Sequence, residues 1–553
     1  MNSMKSMNAG ILLDDIKKCS FETFEICRTC INNNNLKTLY IFKLTGEKLY
    51  KKDRILLYFK RGFTWILRAI FMSIISKIES NIAKRISIYN YFLKEYDLTL
   101  IKTNKIKFID LKINFSPSGY VTWIDIKDSE FIKSLNLEFL FNSGGGIWKG
   151  DILTCSKQGL FSFHHGDNSI NRGGPPGFWE VYYKEDFTGF IIQTLNEKLD
   201  DGQIISKGKT TTSRFWINNY LSVRNGALRE AKRICTDTIN GKKRKLEQLE
   251  FGIYSRRLYQ NPMLHEIFIY ILSRSNFLIK KIILVLFKKK PIWETLFLET
   301  NNWKKFELRK GIKIKSNKNR FLADPNLVKI KNKHFIFVED CDVRSAKAEI
   351  ACYEILKNQK CVKRYGCAIK EKYHLSFPFT FKFENKLYIS VESSSNQSIN
   401  IYRNGESPLS WEIVAQHRFK DLIPIDPIIF YRNGKWWLIF SELNSENEMY
   451  IFYSEDPING LWESHENNPV IISSEYSRNG GFIKEGEICY RIAQKSGFNN
   501  YGKSMTLMRI ENISEKTFVE IQVESISPNF NRIAKGTHSL TKYDEFVSFD
   551  YWH

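Results

Sequence analysis

The chain has 553 residues, 43% of them hydrophobic and 14% aromatic, which excludes wholesale disorder and calls for two or more packed domains. Lysine and arginine outnumber aspartate and glutamate by 83 to 60. The resulting +23 favours anionic partners such as sugar nucleotides or phospholipid surfaces, unless it reflects only a Lys/Asn/Ile-rich sequence.

The ten cysteines form no spaced framework, and Cys27-Arg-Thr-Cys30 is a lone pair, so a disulfide scaffold is excluded and no metal is expected. Met1-Asn-Ser-Met-Lys-Ser-Met7 leads into Ile11-Leu-Leu-Asp-Asp15 without the apolar core of a signal peptide. A cytoplasmic location is therefore expected.

Residues 1–210 read as an α/β domain, with short apolar runs at 11–13, 38–42, 120–124, 137–141 and 160–163 as buried strands. Residues 45–115 are expected as an insertion rich in Lys, Ile and Tyr. Strands alternating with helices predict a parallel, Rossmann-like sheet with ligands at the carboxyl ends of its strands. Asn142-Ser-Gly-Gly-Gly146 follows one strand and His164 ends another, so both are expected at one crevice. In Ser162-Phe-His-His-Gly166 the histidine precedes a Gly/Pro-rich loop, and Asp200 follows thirty-six residues later. A histidine backed by a carboxylate, beside backbone that a substrate can approach, equips a site for acyl transfer to an amine. His164 and His165 read alternatively as structural residues closing a strand.

Residues 211–300 read as a helical, basic connector, in which Gly241-Lys-Lys-Arg-Lys245 is either a solvated stretch or a phosphate contact. Two apolar stretches, 63–76 and 267–290, are broken by Arg68 and by Arg274, Lys280 and Lys281. Neither supplies the roughly 18 clean apolar residues of a spanning helix. Each is either a core helix or an interfacial one giving peripheral contact with the inner membrane face.

From about residue 301 to 553 the sequence repeats with a period near 50. Copies start at Asp324-Pro325, Phe377-Pro378, Asp426-Pro427, Asn479 and Thr537, and in the first three the Pro-to-Lys gap is eight residues. Five copies predict an all-β, five-bladed propeller of four-stranded blades. Asp324 and Asp426 start equivalent inner strands, while Glu339, Glu392 and Glu442 are expected to end equivalent second strands. The Asp-Pro pairs read equally well as turns.

Residues 130–210 resemble the formyltransferase family of methionyl-tRNA and sugar N-formyltransferases. His164 is followed eight residues later by Arg172-Gly173, then by Thr188-Gly189 and Leu199-Asp200-Asp201-Gly202. The family's catalytic asparagine is replaced by Ser162. The resemblance implies N10-formyltetrahydrofolate as donor, His164 as acid/base oriented by Asp200, and Ser162 and His165 as oxyanion donors. It also implies Gly144, Gly145, Gly146, Ile147 and Asp201 around the cofactor, and Asn171, Arg172 and Gly173 near the acceptor.

The repeats resemble five-bladed glycosidases, in which acidic residues flank a sugar. They more closely resemble the N-terminal domain of glucosamine inositolphosphorylceramide transferases, through Phe321-Leu-Ala-Asp-Pro325, His374-Leu-Ser-Phe-Pro378 and Tyr490-Arg-Ile-Ala-Gln494. This implies a glycan or sugar-lipid acceptor bound near Asp324, Glu392 and Asp426. Together the resemblances imply an N-formyltransferase acting on a nucleotide- or lipid-linked amino sugar in surface polysaccharide biosynthesis, with no nucleic acid partner. The alternative is a carbohydrate-binding or glycoside-processing propeller beside a degenerate first domain. A tRNA formyltransferase, suggested by the positive charge, ranks last because the C-terminal half reads as a propeller.

Overall fold

A computed structural model describes residues 6–553, apart from 47–61, 117–118, 198–201, 243–255, 287–290, 301, 304–306, 358–360 and 499. The chain forms two compact units, Met1–Ile279 and Lys280–His553.

The first unit is built on a seven-stranded sheet. Its strands are β1 (Met7–Leu13), β2 (Leu36–Thr45), β3 (Ile106–Lys112), β4 (Leu137–Asn142), β5 (Leu160–His164), β6 (Phe187–Thr194) and β7 (Gln203–Thr211). The spatial order is β7-β6-β5-β4-β1-β2-β3. The five strands from β5 to β3 are parallel, and β6 and β7 are antiparallel. Parallel strands covered on both faces read as continuous apolar runs, and Ile11, Leu12, Ile41, Phe42, Leu140 and Phe141 are all fully buried.

The helices are α1 (Phe21–Ile31), α2 (Phe63–Ile86), α3 (Ile126–Ser134), α4 (Phe178–Tyr183), α5 (Trp216–Ile239) and α6 (Leu264–Leu286).

Three expectations change here. The stretch expected as an insertion supplies β3, which extends the sheet from Leu39↔Ile106 to Thr45↔Lys112. The run at 120–124 leaves the main sheet, because Val121–Trp123 pairs instead with Asn114–Phe115 and Ile147–Trp148. The stretch expected as a connector supplies α5, which packs within the first unit. Asn219 Nδ2 donates to Thr188 Oγ1 at 2.9 Å, and Arg224 donates to Glu22 Oε2 at 2.6 Å.

The second unit is a five-bladed propeller. Four of its sheets have four strands and one has five. The innermost strands are Arg320–Ile330, Ser376–Phe383, Pro424–Arg432, Arg478–Glu485 and Leu540–Tyr543. Each contacts the next, and the last contacts the first. Trp293–Glu299 closes the ring by pairing antiparallel with the final strand, from Trp293↔Trp552 to Glu299↔Phe546. Aromatic pairs fill the space between blades, with Phe381 against Trp436 at 5.7 Å and Phe430 stacked on Phe482 at 4.6 Å. The eight-residue Pro-to-Lys gap is an inner strand plus a tight hairpin. In two copies both turn residues, Glu384-Asn385 and Asn433-Gly434, have positive φ, as such turns require.

Candidate functional site

In three blades the innermost strand carries the same irregularity. Asp324, Phe377 and Asp426 adopt left-handed backbone conformations, with φ of 48°, 47° and 53°. The strand register shifts at each, between Ala323 and Asn326, Ser376 and Phe379, and Ile425 and Ile428. Such bulges re-aim side chains, and a left-handed residue before proline persists only where its surroundings hold it. The surroundings are visible for both aspartates. Asp324 N–H donates to Asp550 Oδ2 at 3.1 Å, and Asp426 N–H donates to Glu392 Oε2 at 2.8 Å. In each case a carboxylate from one blade accepts the strained amide of another.

These bonds gather acidic groups from four blades. Asp324, Glu339, Glu392, Asp426 and Asp550 are all buried. Burial, and then the charges of Glu339, Asp550, Asp426 and Glu392, push the Asp324 carboxyl well above its usual range. Burial and Asp426 push Glu392 up to about 8, against the opposing pull of the Asp426 amide and of Arg478. Glu392 thus holds a proton near neutral pH, which suits a proton donor in a water-poor site.

Cations and dipoles complete the cluster. Arg478, from the fourth blade, donates from Nε to Asp426 Oδ2 at 2.8 Å. His538 Nδ1 lies 2.8 Å from Asp550 Oδ1, which also accepts the His538 and Ser539 amides at 3.2 and 3.0 Å. His538 Nε2 lies 3.5 Å from Asp324 Oδ1, so this imidazole bridges two carboxylates. Trp293 stacks on it at 3.8 Å. His374 Nε2 lies 3.4 Å from Glu339 Oε1, and that pairing pushes the imidazole up to about 9. Tyr501 is 43% exposed, with the Arg478 guanidinium 5.0 Å from its ring centroid and His538 edge-on at 5.6 Å, leaving an aromatic surface beside the acids. Asp324, His538 and Asp550 bring potential metal-ligating atoms within 4.8 Å of one another, as do Glu339, Cys341 and His374. In both groups the imidazole nitrogens already face carboxylates or a carbonyl.

The structure brings together Asp324, Glu392 and Asp426 as the repeats suggested. Glu442 departs from the expected equivalence. Glu339 pairs with Ala323 and Glu392 with Ser376, each beside the left-handed residue, whereas the corresponding partner of Ile425 is Ser441. Glu442 is one residue further on, and successive strand residues point to opposite faces. Asp550, His538 and Arg478 were not singled out from the sequence. They lie in the two most divergent copies, and only the Asp-Pro periodicity pointed towards them.

In the first unit, Ser162 is buried and accepts from Asn142 Nδ2 at 3.3 Å. His164 ends β5 opposite Ile191. His165 stacks on Phe163 at 5.4 Å, and burial lowers its pKa to about 4. Its Nε2 is buried without a hydrogen-bond partner. Gly144 is half-buried and Gly145 and Gly146 are exposed, yet each has protein close by in the direction a Cβ would take. A Cβ at Gly144 would lie 2.7 Å from Asp14 N, one at Gly145 2.7 Å from the Trp148 ring, and one at Gly146 2.3 Å from Tyr120 O. Ile147 pairs with Val121. Asn171 Oδ1 accepts from Arg256 at 3.1 Å, and Arg172 Nε donates to Asn168 O at 2.8 Å. Gly173, at φ +99°, lies against Tyr259, whose O is 2.0 Å from where a Cβ would be. Asp200 and Asp201 lie outside the described residues.

Residues 310–542 match the family described as "Glucosamine inositolphosphorylceramide transferase 1, N-terminal". Glucosamine inositolphosphorylceramide transferase 1 of Oryza sativa subsp. japonica is 32% identical over 212 residues, and that of Arabidopsis thaliana 31%. These alignments take in 37% of this chain and only 28% and 27% of the relatives' lengths. Among solved structures, an exo-β-1,3-galactanase from Phanerochaete chrysosporium is 12% identical, covering 46% of this chain and 64% of its own, with a TM-score of 0.34. A β-xylosidase/α-arabinofuranosidase from a compost metagenome is 13% identical, covering 42% and 85%, with a TM-score of 0.32.

These matches overturn the expected N-formyltransferase activity with N10-formyltetrahydrofolate. The relatives are transferases named for glucosamine and inositolphosphorylceramide. The first unit has an α/β sheet, but its assignment as a formyltransferase domain is not carried. Arg172 and Gly173, which supported the register, are engaged in loop packing. What the comparisons place on this chain is a domain similar to the N-terminal part of those transferases, over the propeller.

Proposed function

We propose that the propeller binds the amino-sugar end of a glycoconjugate in its acidic cluster, and that the chain serves a sugar-transfer reaction. One observation carries this reading: carboxylates from four blades converge on Asp324 and Glu392, and burial with mutual repulsion keeps protons on them. A cationic amine relieves that repulsion, as a neutral N-acetyl group does not. Tyr501 offers an apolar face for a sugar ring, and Glu392 is placed to donate a proton to a sugar oxygen. The names of the relatives, which join glucosamine to an inositol-containing lipid, support the same substrate class.

Calorimetric titration of the full chain with a glucosaminide and its N-acetyl counterpart tests this. The amine is expected to bind at least about tenfold more tightly, with proton uptake by the buffer at pH 7, since its charge displaces a proton from the cluster. Asp426→Asn is expected to abolish the preference. Equal affinity for both sugars, or none for either, overturns the reading.

A further inference from the structure

The helices α2 and α6 leave an extended apolar surface on the first unit. In α2, Met72, Ile75, Glu79 and Ala83 face inwards, while Phe63, Ile70, Phe71, Ile74, Ile78 and Ile82 are 43–73% exposed. In α6, Ile267, Tyr270 and Arg274 are buried, while Phe268, Ile269, Leu272, Leu278 and Ile279 are exposed. Large apolar side chains in such numbers on two adjoining helices exceed the scattered exposure of an ordinary soluble surface.

The two helices are bridged at two points, met in the same order along each. Arg68 Nε donates to Pro262 O at 2.9 Å near their starts, and Tyr270 donates its hydroxyl to Glu79 further along. The second carboxylate oxygen of Glu79 accepts the Ile217 amide at 2.9 Å, tying the pair to α5.

The charges identify the occupant. Each helix contains one acidic residue, Glu79 in α2 and Glu266 in α6, and both are buried. Glu79 is engaged by Tyr270 and Ile217, and Glu266 by Arg257 and the Met263 amide. Among Lys, Arg, Asp and Glu, the exposed side chains on the first-unit part of the two helices are all cationic: Lys77, Lys84 and Arg85. A protein partner would ordinarily meet a mixed polar rim. An apolar face with exclusively cationic charge matches the boundary between headgroups and acyl chains of an anionic bilayer. No described helix is long and apolar enough to cross a membrane, so the two would lie in the interface.

We infer that α2 and α6 together dock the protein on the surface of an anionic lipid bilayer. This inference is independent of the sugar reading.

The test is co-sedimentation of the full chain with phosphatidylcholine vesicles, with and without about one-third phosphatidylglycerol. Binding is expected to the anionic vesicles and to weaken with salt. Lys77→Gln and Lys84→Gln are each expected to lower the partition coefficient roughly fivefold. Ile74→Ser with Ile78→Ser is expected to lower it further, with unchanged circular dichroism because both sites are exposed. No binding to anionic vesicles, or binding indifferent to both lipid charge and the lysine substitutions, overturns the inference. A concentration-dependent dimer that the isoleucine substitutions abolish, without vesicle binding, would assign the face to a second copy instead.

Discussion

Asp426 donates its backbone N–H to Glu392 Oε2 at 2.8 Å, so a residue in a strained conformation on one blade is held by an acid on the preceding blade. Asp324 stands in the same relation to Asp550 across the closure of the ring, at 3.1 Å. The acidic site and the seams of the propeller are therefore built from the same bonds. Glu392→Ala removes the acceptor and leaves a buried amide unpaired, which is expected to cost about 1–3 kcal/mol. Glu392→Gln keeps an oxygen in place and is expected to cost less. Urea denaturation of the two variants beside the parent chain measures the difference.

The pH dependence of stability follows from the same residue. An unfolded chain releases the glutamate proton at about pH 4.3. The folded chain holds it up to about 8 because of burial and the nearby Asp426 charge. Between these values the folded state binds more protons, so its stability falls as pH rises and levels off above about 8. Glu392→Gln is expected to flatten that decline. Melting temperatures of the parent and variant across pH 4–9 should converge at the acid end and separate at the alkaline end.

Gly480 sits where the fourth and fifth blades meet, and a Cβ there would lie 2.0 Å from His538 O. Gly480→Ala is expected to destabilise the chain by about 1–3 kcal/mol and to weaken sugar binding, because the displaced backbone carries His538. Gly486 has a positive φ but no neighbour within 4 Å of a Cβ, so Gly486→Ala provides a control for backbone strain alone. Thermal denaturation and sugar titration of both variants separate the two effects.

Much of the propeller was legible because its repeats preserve spacing. The fixed gap from Pro325, Pro378 and Pro427 to the following lysine marks hairpins of one length. Spacing also carried a warning about Glu442. Glu339 and Glu392 each follow their left-handed residue by fifteen positions, whereas Glu442 follows Asp426 by sixteen, enough to turn it to the other face. Asp550, His538 and Arg478 were harder to read because their partners are distant in sequence. Asp550 reaches Asp324 across 226 positions, a relationship that only ring closure creates. In the first unit, the strands within β1, β2, β4 and β5 could be read from apolar runs. The formyltransferase landmarks could not, since a glycine conserving space for Tyr259 looks the same in sequence as one making room for a ligand.

Pairing of the 293–299 strand with the 546–552 strand has a consequence for biosynthesis. Blades one to four can collapse as the ribosome delivers them, but the fifth waits for its final strand to emerge. Asp550 lies in that strand and fixes both His538 and the Asp324 amide. The acidic cluster therefore stays incomplete until the 546–552 strand has joined the ring, and a chain cut before that strand would lack the Asp550 contacts to His538 and to the Asp324 amide.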